Sequence, residues 1–128
     1  MIYIVDTHVF IWYLDRNERL KPFYHQILTD VHNNFVFFTI VLAEIKHLIS
    51  HKRINVDYEQ VVTFLSESEN CVIYPIDEDV VGEMPVGLDI HDALIVATGL
   101  VYRNILKEEV KILTEDKEIK QSCFLQIA

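Results

Sequence analysis

The chain has 128 residues, the usual size of one domain, and 51% of them are hydrophobic, enough to pack a core without disulfide or metal staples. Its formal charge is −9, from 20 acidic and 11 basic residues, which argues against a protein that coats nucleic acid by charge alone. No apolar run approaches the roughly 20 residues of a membrane helix, and two cysteines, Cys71 and Cys123, are too few for a disulfide framework or a zinc site.

The chain opens on Met1-Ile2-Tyr3-Ile4-Val5-Asp6, which lacks the basic region and cleavage site of a signal peptide and reads as a buried strand over residues 2–5. Helices are expected over 7–14 and 20–32, then a strand of strong β bias over 35–38. Residues 40–50 read as a helix with Ile40, Leu42, Ile45, Leu48 and Ile49 facing inward. A helix over 58–66, a strand over 71–76 and a short helix over 77–84 follow. Residues 90–102 form the most apolar helix of the chain. A strand over 111–113, a helical turn over 116–121 and a last strand over 124–127 complete it. Strands alternating with helices predict an α/β fold: a three-layer α/β/α sandwich with a central, mostly parallel sheet, in one domain spanning residues 1–128. Both cysteines lie in apolar stretches and read as core residues of a protein in a reducing, cytoplasmic compartment.

Four acids stand out by position. Asp6 follows the first strand, and Asp116 follows the strand at 111–113. Glu44 lies one turn into the helix after the second strand, and Asp92 opens the apolar helix. Ligands of open parallel sheets bind beyond the carboxyl ends of the strands, so acids placed there converge on one rim. Each also has a plain structural reading. Asp6 and Asp116 suit helix N-caps, Asp92 suits the positive end of a helix dipole, and Glu44 suits a solvated face. A cap and a ligand are compatible, because a carboxylate has two oxygens. Taken together, clustered carboxylates repel one another in a partly desolvated cleft, and divalent cations reverse that sign. Two such ions would move the net charge from −9 to −5. They also activate water for phosphoryl displacement, so no Ser, Cys or His nucleophile is required.

At these positions the sequence resembles a family. Ile4-Val5-Asp6-Thr7-His8 resembles the opening of PIN domains, and Leu42-Ala43-Glu44-Ile45 their second acidic motif. The run from Asp89 through His91-Asp92-Ala93 to Thr98 closely resembles the third, and Leu113-Thr114-Glu115-Asp116-Lys117 the fourth. All four occur in order and span nearly the whole chain. The resemblance implies Mg2+- or Mn2+-dependent cleavage of RNA, with Asp6, Glu44, Asp92 and Asp116 as catalytic, metal-binding acids. It implies Thr7 and Thr114 as auxiliary residues holding carboxylates, and Asp89 as an auxiliary acid or a cap. Small stand-alone PIN domains are most often VapC-like toxins of toxin–antitoxin pairs, which implies a homodimer and a small antitoxin partner.

Other residues fit less directly. Lys46, Lys52 and Arg53, with His47 and His51, form the densest basic patch, readable as an RNA-phosphate grip or as a solvated helix end. His8 and His91 flank proposed acids, and Trp12, Tyr13, Phe23 and Tyr24 suit a base platform, a partner surface or core. Glu115 adds an acid where an RNA-facing rim favours a basic or neutral residue. Three functions are therefore compared. The first is a metal-dependent endoribonuclease, a toxin cutting single-stranded or structured RNA. The second is a catalytically weak or inactive PIN-fold interaction protein acting through a partner. The third, an aspartyl phosphatase, is disfavoured because His8 stands where its Asp-x-Asp pattern needs an acid.

Overall fold

The structure, a computed structural model, describes all residues from 1 to 128. Four strands, β1 (Ile2–Val5), β2 (Asn34–Phe38), β3 (Cys71–Tyr74) and β4 (Val110–Leu113), form one sheet in the order β3-β2-β1-β4. Every pairing is parallel, with Ile4 beside Val36, Val5 beside Leu113 and Phe37 beside Ile73. The helices are α1 (Thr7–Leu14), α2 (Pro22–Thr29), α3 (Thr39–Ser50), α4 (Tyr58–Glu67), α5 (Glu78–Gly82), α6 (Ile90–Asn104) and α7 (Lys117–Ser122). Successive residues of β1, β2 and β4 are buried rather than alternating, as in a parallel sheet covered on both faces. The result is the expected α/β/α sandwich. No helix is long and apolar enough to cross a membrane.

Helix α6 carries nine consecutive buried residues, from Ala93 to Val101. Gly99 is needed within it: a methyl there would run into the Leu125 side chain and sit 3.3 Å from Ile4 Cγ1. The helix therefore lies close to both β1 and the C-terminal segment.

The chain visits β1, β2 and β3 by stepping outward in one direction. It then crosses back to lay β4 on the other side of β1. The carboxyl ends of β1 and β4 consequently face a topological switch point, where loops diverge and leave a crevice. Asp6 stands at the end of one strand and Thr114 at the end of the other, and Asp6 N–H still donates to Leu113 O at 3.0 Å.

Four local expectations are corrected. The second helix is shorter than residues 20–32, because Pro22 starts it at its first turn and Asp30 leaves helical geometry to accept from His32 N–H at 2.9 Å. The third strand stops at Tyr74 instead of residue 76, because Pro75 has no N–H for the ladder. Residues 124–127 make a single parallel bridge from Ile127 to Ile112 and no strand. Leu125 turns inward to the notch at Gly99 instead of continuing a ladder. Finally, neither cysteine is fully buried, although Cys71 packs against the core. Cys71 is only partly buried, and Cys123 is exposed, in a left-handed conformation (φ 58°) that ends α7.

Candidate functional site

The rim is built from the end of β1. Asp6 caps α1 by accepting from Thr7 N–H through Oδ1 at 2.8 Å. Its Oδ2 accepts from the Thr114 hydroxyl at 2.6 Å, across 108 residues of chain. Asp6 is 7% exposed, so its charge depends on these donors. Burial pushes its carboxyl up, the hydrogen bonds from Thr114 and Thr7 pull it down, and Asp116 pushes it up again. The net direction is upward.

Thr114 organises the other strand end. Its hydroxyl oxygen accepts from Asp116 N–H at 3.0 Å while its proton goes to Asp6. Its carbonyl accepts from the Tyr24 hydroxyl at 3.0 Å. Asp116 in turn caps α7, taking Ile119 N–H on Oδ1 at 3.0 Å. Tyr24 is buried, so α2 braces the β4 end through one phenol. That role was invisible in the sequence, where Tyr24 is one of several aromatics.

Glu44 reaches the same place from α3. The Thr7 hydroxyl donates to its Oε1 at 3.1 Å. Burial raises its carboxyl, against the Thr7 hydrogen bond and His91, with Asp6 raising it further. Asp92 is held differently. Its N–H donates to Asp89 Oδ1 at 3.0 Å, making Asp89 the N-cap of α6. Burial, then the charges of Asp116, Asp89, Asp6 and Glu118, push the Asp92 carboxyl up to about 6, and no hydrogen bond is among the influences on it. Asp6 and Asp92 are both raised by the charge of Asp116 and Asp92 also by that of Asp6, while Glu44 is raised by Asp6 alone among the other three, so Asp6 is the acid that links the set.

An all-carboxylate donor set suits a hard divalent cation such as Mg2+ or Mn2+. No three His, Cys, Asp or Glu side chains are gathered closely enough to cage an ion by themselves. An open set of this kind fits magnesium, which keeps several waters and needs few protein oxygens. A cleft of about 190 Å³ bordered by Asp6, Asp116, His8, Trp12 and Glu115 opens beside two of these acids, and Glu44 borders a neighbouring cleft.

The basic candidates lie elsewhere. Lys46 sits over the Tyr58 ring, 4.8 Å from its centroid, two residues past Glu44 and so on another face of α3. Lys52 and Arg53 follow the end of α3, which runs roughly 9 Å beyond Glu44. The structure does not bring these three to the carboxylates. Glu115 is also less disruptive than its position implied. Lys21 and Lys120 bind its Oε1 at 2.9 and 3.1 Å. Burial raises its carboxyl, but the two lysines outweigh burial and lower it. Of the aromatics, Tyr24 is core, Phe23 is 57% exposed, and Trp12 and Tyr13 line a separate groove of about 930 Å³ with Leu20, His25 and Phe64.

The class of protein is set by an all-parallel α/β/α sheet with acids gathered beyond the carboxyl ends of β1 and β4. The family profile described as "PIN domain" matches residues 3–125, and the chain belongs to the PIN-domain family. Its fold is similar to that of a chain in VapBC2 from Rickettsia felis bound to a DNA fragment from their promoter, at 20% identity and TM-score 0.68, covering 100% of this chain and 98% of that one. It is similar also to a chain of VapBC-1 from nontypeable Haemophilus influenzae, at 19% identity and TM-score 0.64, covering 100% and 97%. No curated protein matches it by sequence.

Proposed function

We propose that this chain is a divalent-metal-dependent endoribonuclease in which residues 1–128 form one catalytic domain. One observation carries the reading. The Thr114 hydroxyl donates to Asp6 Oδ2 at 2.6 Å while accepting from Asp116 N–H at 3.0 Å, and the Thr7 hydroxyl donates to Glu44 Oε1 at 3.1 Å, so acids from the ends of β1 and β4 and from α3 are tied together beside α6, where burial and acidic neighbours also raise the Asp92 carboxyl. Capping a helix occupies only one oxygen of Asp6, Asp116 and Asp89 and does not require the caps to be gathered at one rim, whereas acids gathered in a cleft mark functional sites. Asp6, Glu44, Asp92 and Asp116 are the residues that would hold Mg2+ or Mn2+. When bound, the cation supplies positive charge for the phosphate and an activated water. The protein's own groups do the positioning. Thr114 and Thr7 fix Asp6 and Glu44, and Asp89 fixes the first turn of α6 beneath Asp92.

The assay is cleavage of single-stranded RNA by the purified protein. Cutting is expected with magnesium or manganese, is expected to stop with EDTA, and is expected to fall about a hundredfold or more in Asp92→Asn. Equal cutting by Asp92→Asn would refute the assignment.

The biological reading is a toxin in the cytoplasm, held by a small antitoxin and acting as a homodimer. Family membership and the VapBC assemblies of similar fold support it. The aromatic groove beside Trp12 and Tyr13 is the surface assigned to the antitoxin. Net charge −9 favours a second reading, an inactive interaction protein. Calorimetry separates the two: millimolar magnesium or manganese gives a binding heat only in the first.

A further inference from the structure

A second cleft, of about 390 Å³, adjoins the carboxylates and shares His8 with the acidic one. Three of the chain's six histidines border it from three different helices: His8 from α1, His47 from α3 and His91 from α6. All three are exposed. Ile40, Ala43 and Leu48 give it an apolar floor, and Glu44 stands at its junction with the metal-site acids. A transition-metal ion would suit imidazoles beside a carboxylate. That occupant is disfavoured, because no three of these groups are close enough to hold one.

A wider, flat occupant suits the lining better. Imidazole faces and an apolar floor are what an unstacked nucleobase packs against. The volume falls within the range of small-molecule pockets, about 300–1,000 Å³. His47 is braced for such a role: its ring lies 4.2 Å from that of His51, whose Nδ1 pairs with His47 O at 2.9 Å. Charge points the same way. At −9, with Lys46 over Tyr58 and with Lys52 and Arg53 beyond the end of α3, the chain brings little cationic attraction to a phosphate backbone here. Stacking is a grip that does not depend on net charge.

We propose that this histidine-lined cleft binds one unstacked RNA base next to the phosphate held at the carboxylates, with His47 and His91 as base-contacting residues. The proposal rests on the ribonuclease reading. It makes His8 the partition between the base and the reacting phosphate.

Proton NMR of the histidine rings tests it without cleavage. Adenosine 5′-monophosphate, titrated into the protein with magnesium present, is expected to shift the signals of His8, His47 and His91 saturably in the millimolar range. Ribose 5-phosphate is expected to leave them in place. An equal response to ribose 5-phosphate, or none to the nucleotide, overturns the proposal. On an RNA that the protein cuts, His47→Ala is expected to raise KM about tenfold at unchanged kcat, and His47→Phe to recover it. An unchanged KM in His47→Ala also overturns it. Failure to cut any RNA would instead sink the ribonuclease reading, while the titration still reports on the cleft.

Discussion

The two sides of the acidic rim solve the burial of charge in opposite ways. On the sheet side, Asp6 is 7% exposed and both its oxygens are engaged, by Thr7 N–H and by the Thr114 hydroxyl. On the helix side, Asp92 has a carboxyl raised to about 6, by burial first and then by the repulsion of acidic neighbours, with no hydrogen bond acting on it. The sheet side is arranged by the fold. The helix side is held under electrostatic stress that a cation would relieve. Asp6 and Asp92 thus meet the cost of burying a carboxylate with different partners.

Removing a partner on the sheet side should have the largest effect on stability. Thr114→Val deletes the 2.6 Å hydrogen bond to a buried carboxylate and is expected to cost about 2 kcal/mol in denaturant unfolding. An unchanged midpoint would mean that Asp6 does not need the threonine, and the contrast would collapse.

The helix side should respond with the opposite sign. In EDTA, Asp92 titrates near 6 when folded against an ordinary value of 3.8. The folded state then binds more protons over that interval, so stability falls as pH rises through it. Asp6 and Glu44 are raised as well and tilt the curve in the same direction. Asp92→Asn is expected to flatten this slope and to stabilise the metal-free protein near neutral pH by about 1 kcal/mol, after allowance for solvent screening. Unfolding curves across pH, with and without the substitution, provide the check. Destabilisation by Asp92→Asn in EDTA would contradict the stressed-acid description.

The smallest effect belongs to the bridge between the two sides. Thr7→Val removes the 3.1 Å hydrogen bond to the half-exposed end of Glu44 and is expected to cost roughly 0.5–1 kcal/mol. Magnesium affinity, read by calorimetry, should weaken by about tenfold, because positioning partners of ligands have effects of that order.

Much of this was legible in the sequence. Acids soon after apolar runs, Asp6 at once and Asp116 after Thr114-Glu115, mark strand ends, and parallel strands place those ends on one side. Thr7 and Thr114 were expected to hold carboxylates, and each does. What escaped reading depended on the strand order. Only the position of β4 beside β1 brings Thr114 to Asp6, and only the packing of α2 brings Tyr24 to the Thr114 carbonyl. The pairing of Glu115 with Lys21 was equally hidden, since the residues are far apart in the chain. The last apolar run, 124–127, was misread because its inward residue, Leu125, packs on a helix glycine, which no local pattern encodes.

The strand order has a further consequence for a chain still being made. Thr114 and Asp6 are 108 positions apart, and β4 must slot beside β1 before they meet. Contacts of such long range form late and slowly. A nascent polypeptide on the ribosome would therefore carry Asp6 and Glu44 without the hydroxyl that steadies the first or the acids of α6 and α7. Translation itself would keep the rim incomplete until β4 and the residues that follow it had emerged.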